Sequence, residues 1–447
     1  MGLEIIPLGG FLEVGRNCTL VKVDDEAIIL DMGLHMDNYI TYTDDEDRDD
    51  LDEKKDMSGD ALIKVNAVPN LYEVQDLWPK VKAICIGHAH LDHIGAVPFL
   101  ASKFTNASIH GTRYTMEVLK EMLRGEGTKL KNKIVSHEPN GQAKISDKIT
   151  VEFVNMTHST PQSALMVIHT PYGKVAYALD FKLDNAPVLG EKPNYKRLEE
   201  LGKQGIKVLI FECLYVHMNT KTPSESIARE MLKDVMLGVN SKGNSIVVTT
   251  FSSHIARLKS IVDMGKLLKR RVVLVGRSFD KYVMAAKRAN VIDLTKNVEM
   301  VKYGGMAGKY FKKVRNPENQ IFVVTGHQAE HGSILPRMVF DKMYNFKEQD
   351  NVIFSCTVIP VENNIRNRDK LEDELRRRKI RIFKDVHSSG HAYREDQREL
   401  IRIMKPEFLM PAHADEPKVL LARELAVEMG YSPEDVLIAK NGDRIEF

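Results

Sequence analysis

The chain has 447 residues, with 64 Lys+Arg against 62 Asp+Glu and a formal net charge of +2. That length is more than one hydrophobic core fills, so two domains are expected, and the near-neutral balance leaves recognition of any polyanion to local patches. The four cysteines, Cys18, Cys85, Cys213 and Cys356, are widely separated and mostly inside apolar runs. This excludes a disulfide framework or a CxxC zinc site and points to buried thiols in a reducing compartment. No stretch approaches the roughly 18 apolar residues of a membrane span and no leader-like run opens the chain, so a cytoplasmic location without a membrane partner is expected.

In chain order, residues 4–8 and 18–30 alternate or run apolar like paired strands separated by Gly9-Gly10 and a turn at Gly15, a β-meander that ends in Asp31-Met32-Gly33. Asp31 is a carboxylate at a strand end; its bland reading is a turn residue. From Asp37 to Asp60 the chain becomes polar and mainly acidic (TDDEDRDDLDEKKD at 43–56) and reads as a solvated loop insertion. The apolar run Val81 to Gly87 then leads into His88-Ala89-His90-Leu91-Asp92-His93. Three imidazoles and a carboxylate within six residues, flanked by Gly87 and Gly95, form a donor set suited to a transition metal such as zinc.

After an amphipathic helix at 113–124, the alternating run 149–155 arrives at His158, and the strand at 174–179 stops at Asp180. Asp31, the histidine cluster, His158 and Asp180 all fall where apolar strands end, which is how a layered sheet gathers a site from distant positions. Beyond about residue 186 strands alternate with helices: 208–211, 224–239, 245–249, 253–268, 271–275, 279–289, 321–324 and 351–355. That order predicts parallel βαβ units. A charged helix near 362–378, a short strand at 381–384, the segment Val386 to Ala392 and a strand at 407–410 ending in His413 complete the chain.

HAHLDH, with an early strand-end Asp, a distal His and a distal Asp, resembles the metallo-β-lactamase superfamily. Glu212 after a strand, His391 in a small-residue loop and His413 after the next strand resemble its β-CASP nucleases. LGGFLEVGRN at 8–17, TTFSSHIAR at 249–257, VGRS at 275–278, TGHQAE at 325–330 and SSGHA at 388–392 are similar, more narrowly, to the ribonuclease J family in its short archaeal form. Two departures concern loop geometry and substrate preference rather than the ligands: Ala329 and His331 stand where that family usually has Gly and Pro, and His413-Ala414-Asp415 replaces His-Gly-Glu.

The resemblance implies an α/β fold, an αββα metallo-β-lactamase sandwich (residues 1–185 and 365–447) with an inserted α/β β-CASP domain (186–364), and RNA entering between them. It implies two Zn2+ per chain, with Mn2+ or Mg2+ as alternatives: His88, His90 and His158 on one, Asp92, His93 and His413 on the other, and Asp180 bridging. Asp31 would orient a ligand imidazole. His391 would act on the leaving oxygen as general acid or phosphate clamp, held protonated by Glu212. Ser252, Ser253, Arg277, Ser278, His387, Ser388, Ser389, Gly390 and His391 lie where strands meet helices and read as a phosphate track with a 5′-monophosphate pocket. The basic patches at 309–315 and 376–381 are candidate RNA contacts, with a solvated face as the simpler account of the second. His35, His110, His137, His169 and His217 read as structural or surface groups. The expected activity is zinc-dependent hydrolysis of single-stranded RNA, mainly 5′ to 3′ and with endonuclease activity as a second mode, by a cytoplasmic homodimer. The rivals are a 3′-end-processing endonuclease and an RNA-binding module with a vestigial site.

Overall fold

The computed structural model describes residues 2–44, 56–302, 304–359 and 362–447. The centre of the acidic stretch, 45–55, lies outside the described residues. Its flanks are not loop: Met36–Asp44 and Gly59–Lys64 are helical, the second started by Ser58, whose hydroxyl accepts from the Ala61 amide.

The strands in chain order are β1 Leu3–Gly9, β2 Cys18–Val23, β3 Glu26–Leu30, β4 Val81–Ile86, β5 Ser108–Thr112, β6 Ile134–His137, β7 Gln142–Lys144, β8 Thr150–Asn155, β9 Ala164–Thr170 and β10 Gly173–Ala178. They continue with β11 Val208–Glu212, β12 Ile246–Thr249, β13 Arg271–Val275, β14 Val298–Val301, β15 Gln320–Val324, β16 Asn351–Phe354, β17 Arg381–Phe383, β18 Phe408–Ala412 and β19 Ile445–Glu446. Two compact units result, one of residues 1–184, 191–222 and 390–447, the other of 185–190 and 223–389.

The first unit is a mixed α/β sandwich of two sheets, β19-β1-β2-β3-β4-β5-β6 and β18-β11-β10-β9-β8-β7. Period-two alternation divides the second sheet. Phe153, Met166, Ile168, Val175, Tyr177 and Ile210 share a core with Ile5, Val21, Ile28 and Cys85 of the first sheet. Val154, Val167, Ala176, Leu209 and Phe211 form a separate core with Leu198, Leu201, Leu400, Ile401 and Leu425, which lie in the helices Tyr195–Lys203, Arg394–Met404 and Glu416–Glu428. All four cysteines are buried and free.

Strand direction positions the site. β3 and β4 are parallel, and so are β10, β11 and β18. β8 is antiparallel to β9, which is antiparallel to β10, so β8 runs the same way as β10. The carboxyl ends of β3, β4, β8, β10, β11 and β18 deliver Asp31, His88, His158, Asp180, Glu212 and His413 in turn.

The second unit is an all-parallel six-stranded sheet in the order β14-β13-β15-β12-β16-β17. Near-continuous apolar strands such as β15 and β16 suit a sheet covered on both faces. Its limits differ from the expected 186–364. β17 pairs with β16, and Leu371 and Leu375 of the helix Glu362–Arg377 join the core of this sheet, which carries the unit to Ser389. Residues 191–222 hold β11, a central strand of the first unit, so the main part of the insertion begins at Pro223.

Candidate metal centre

Asp180 lies at the middle of the cluster, buried and in a left-handed backbone conformation (φ 55°). Its Oδ2 is 3.3 Å from His88 Nε2, 3.6 Å from His158 Nε2 and 3.9 Å from His90 Nδ1. Its Oδ1 is 3.3 Å from His93 Nε2 and 3.5 Å from His413 Nε2. Asp92 closes the second group, with Oδ2 at 3.5 Å from His93 Nε2 and 3.7 Å from His413 Nε2. One carboxylate therefore faces two sets of donors, one per oxygen.

The donor atoms within each set lie within 4.8 Å of one another. Both oxygens of Asp180 and Nε2 of His88 are buried without a hydrogen-bond partner. A buried carboxylate surrounded by imidazole nitrogens and satisfied by none of them is costly unless a cation binds there, so these residues fit a metal. Burial, then the neighbouring His93, pushes His88 down to about 3, and burial and His90 hold His158 well below its ordinary range, so both are neutral imidazoles able to ligate. Against burial, the charges of Asp180, Asp92 and Asp31 hold His93 well above its ordinary range, so a cation there would have to displace its proton, whereas His88 and His158 are already neutral.

Neighbouring groups settle which nitrogen His93 and His158 offer. Asp31 Oδ2 is 2.7 Å from His93 Nδ1, while its Oδ1 accepts from the Gly87 amide at 2.8 Å. His158 Nδ1 donates to the Gly390 carbonyl at 2.7 Å. Both rings thus turn Nε2 toward Asp180. Asp31 and His413 share the left-handed conformation of Asp180 (φ 59° and 55°), strain of about 1–3 kcal/mol each, of the kind that packed functional sites hold.

His391 lies beside this cluster. Its Nδ1 is 2.8 Å from Glu212 Oε2 and 3.7 Å from Asp180 Oδ1. Glu212 is fully buried, and its Oε1 accepts from the amides of Phe181 and Ala392 at 2.8 and 3.2 Å.

The residues read as a phosphate track divide between the units. Gly390 and His391 belong to the first, whereas Ser252, Ser253, Arg277, Ser278, His387, Ser388 and Ser389 belong to the second. Arg277 and Ser278 are not loop residues as expected. Gly276 makes the turn at φ 142°, and the helix Arg277–Arg288 starts at once. After Gly390 and His391 the helix Arg394–Met404 begins, with Tyr393 extended at its N-cap, while the amides of Ala392 and Tyr393 donate to Glu212 and to the Thr222 hydroxyl. Ser388 Oγ donates to the Pro223 carbonyl, and Arg257 Nη1 approaches His387 Nδ1 at 3.5 Å.

Of the two basic patches, Lys309, Lys313 and Arg315 line an open cleft of about 800 Å³ with Tyr310. Arg376, Arg377 and Arg378 are paired along their own helix with Glu372, Asp373 and Glu374, as a solvated face would be. Sequence reasoning missed Ser159, whose hydroxyl is 3.3 Å from His90 Nε2, and Thr157, which ties the segment before His158 to the one after Asp180. It also missed Asn17, although the motif containing it stood out.

Three family models match: "Metallo-beta-lactamase superfamily" over 12–204, "Ribonuclease J, beta-CASP domain" over 243–370 and "Zn-dependent metallo-hydrolase RNA specificity domain" over 377–439. The chain is 40% identical to Ribonuclease J of Pyrococcus abyssi, over 99% of this chain and 97% of that protein. It is also 40% identical to Ribonuclease J of Methanocaldococcus jannaschii, over 100% and 99%. The chain belongs to the ribonuclease J family. A crystal structure of a protein of unknown function from Enterococcus faecalis shares the fold, with TM-score 0.66, 18% identity and full coverage of both chains. For a ribonuclease J family member, the donor set around Asp180 falls within the matched metallo-β-lactamase and RNA-specificity segments. Among the described residues no helix is long and apolar enough to cross a membrane.

Proposed function

We propose that the chain is a metal-dependent ribonuclease that hydrolyses single-stranded RNA, chiefly from 5′-monophosphate ends in the 5′-to-3′ direction, with endonucleolytic cleavage as a secondary mode. The observation that carries this reading is Asp180 facing one donor set with each oxygen, in a chain whose full-length relatives are named Ribonuclease J. His88, His90, His158 and Asp180 would hold one zinc, and Asp92, His93, Asp180 and His413 a second. When bound, such a pair supplies an activated water and neutralises charge on the phosphodiester.

The remaining chemistry falls to side chains. Asp31 and the Gly390 carbonyl hold His93 and His158 in the ligating tautomer. Glu212 keeps a proton on His391 Nδ1, so the imidazolium can clamp a phosphate oxygen and give a proton to the departing 3′ oxygen. A cytoplasmic homodimer is part of the same proposal.

The test is one RNA prepared with 5′-monophosphate, 5′-triphosphate and 5′-hydroxyl ends, labelled at both termini, incubated with zinc-loaded protein and with His88→Ala. Mononucleotide release from the monophosphate end, absent in the variant, is expected. Internal cuts indifferent to the 5′ end would replace the exonuclease with a processing endonuclease. No metal-dependent cleavage would leave an RNA-binding module.

A further inference from the structure

We propose that Asn17 is the positioning residue of the Asp92–His93–His413 group, and that the loop Gly9–Asn17 is built to hold it there; this rests on the two-metal reading above. Asn17 is fully buried at the entry to β2. Its Nδ2 donates to the Asp92 carbonyl at 3.0 Å and stands 3.0 Å from His93 Nε2, while its Oδ1 accepts from His413 Nδ1 at 2.9 Å. Its backbone amide also donates to the Asp92 carbonyl, and its carbonyl accepts from the Gly33 amide. The segments that leave β3, β4 and β18 therefore meet on one residue.

The orientation of this amide is determined by chemistry. A backbone carbonyl only accepts, so the end of the side chain facing the Asp92 carbonyl is the NH2 group and the end facing His413 is the oxygen. An amide oxygen cannot donate, so His413 Nδ1 carries the proton and Nε2 keeps its lone pair. Nε2 is the atom that faces Asp180 Oδ1 and Asp92 Oδ2. Asn17 thus does for His413 what Asp31 does for His93 and the Gly390 carbonyl does for His158.

The same contacts explain a motif that metal ligation leaves unexplained. A Cβ on Gly10 would overlap Asn17 Oδ1, one on Gly9 would overlap the Arg16 carbonyl, and one on Gly33 would overlap the Asp92 carbonyl. Glu13 Oε1 braces the loop by accepting from the Gly10 amide, Arg16 Nε and Asn441 Nδ2 at 3.1, 2.7 and 2.8 Å. The Gly10 carbonyl in turn accepts from the His413 amide at 2.6 Å. In LGGFLEVGRN the glycines make room, Glu13 and Arg16 stiffen the loop, and Asn17 is what they deliver.

The experiment measures zinc equivalents and affinity against a competing chelator, without RNA, on the full chain and on Asn17→Ala in three backgrounds: wild type, His88→Ala and His413→Ala. Circular dichroism checks that each is folded. Asn17→Ala is expected to keep one tight equivalent and weaken the second by about 10- to 100-fold, as loss of a partner that orients a ligand does. It should weaken the single equivalent left in His88→Ala and leave that in His413→Ala unchanged. Asn17→Ser, neutral and too short to hold both the Asp92 carbonyl and His413 Nδ1, carries the same comparison should the alanine variant not fold. Wild-type affinity at both equivalents in Asn17→Ala, or equal weakening in the His413→Ala background, would overturn the proposal. A wild-type chain that binds fewer than two equivalents would instead overturn the two-metal reading beneath it.

Discussion

His391 Nδ1 and Glu212 Oε2 lie 2.8 Å apart, with the carboxylate fully buried and its other oxygen occupied by two backbone amides. Burial alone would lower the His391 pKa, but the charges of Glu212 and then Asp180 outweigh it and bring it up to about 9. A raised histidine value stabilises the folded chain fully below the ordinary value of 6.5, and that stabilisation is lost as pH rises through about 9. In zinc-stripped protein, an NMR titration of His391 should give a midpoint near 9, and Glu212→Gln should lower it by about one unit or more. An unchanged midpoint in the variant would remove Glu212 from its role as proton holder.

Thr157 connects the chain before His158 to the chain after Asp180. Its hydroxyl donates to the Lys182 carbonyl at 2.6 Å and accepts from the Asp184 amide at 3.1 Å, and the Lys182 amide donates to the Thr157 carbonyl. Thr157→Val keeps the shape but removes both bonds of the hydroxyl, to the Lys182 carbonyl and from the Asp184 amide, an expected loss of about 1–3 kcal/mol. Thr157→Ser should recover most of it. Urea unfolding of the three chains decides the point, and equal stabilities would mean that the hydroxyl is not a clamp.

In the second unit, Arg257 is fully buried and makes two bonds to Glu225, at 2.6 and 2.8 Å, while its Nη1 donates to the carbonyls of Ser355 and Val386. Burial would raise the Glu225 pKa, but His254 and Arg257 outweigh it and hold the carboxyl well below the ordinary 4.5. A depressed carboxylate stabilises the fold fully above pH 4.5, and that contribution is lost as pH falls below it. Glu225→Gln leaves a buried guanidinium without its counter-charge and should cost about 3–5 kcal/mol at neutral pH. Thermal unfolding from pH 7 down to pH 3 should show the gap between the two chains narrowing toward acid. A constant gap would contradict the ion-pair account.

Ala329 has a left-handed backbone conformation, φ 59°. A Cβ strains that conformation, while glycine accepts it and loses more chain entropy on folding. The Ala329 methyl is itself buried in the core of the sheet, which offsets part of the relieved strain, so Ala329→Gly is predicted to stabilise by at most about 0.5 kcal/mol. Denaturant titration checks the sign, and a destabilised variant would show that the loop is not strained there.

Much of this was legible beforehand because strand ends are legible. The apolar runs before His88, His158, Asp180 and His413 become β4, β8, β10 and β18, and the four residues meet just past the carboxyl ends of these strands. Asn17 and Thr157 were not legible. Their work lies in hydrogen bonds to backbone groups of distant segments, and an Asn or Thr beside a strand carries no periodic signal. The domain limits were misplaced for a related reason. Glu212 and His391 bracket the insertion chemically, but the short strand β17 and the highly charged helix before it give little hint that they complete the second sheet.

On the proposed reading Asp180 serves two metal groups at once, and RNA hydrolysis depends on both. Zinc equivalents and mononucleotide release from 5′-monophosphate RNA, measured on the same preparations of the natural chain and Asp180→Ala, test it most directly. Two equivalents with release in the natural chain, and loss of at least one equivalent together with loss of release in the variant, are predicted. An Asp180→Ala chain that holds two equivalents and still releases mononucleotides would show that Asp180 does not join the two metal groups.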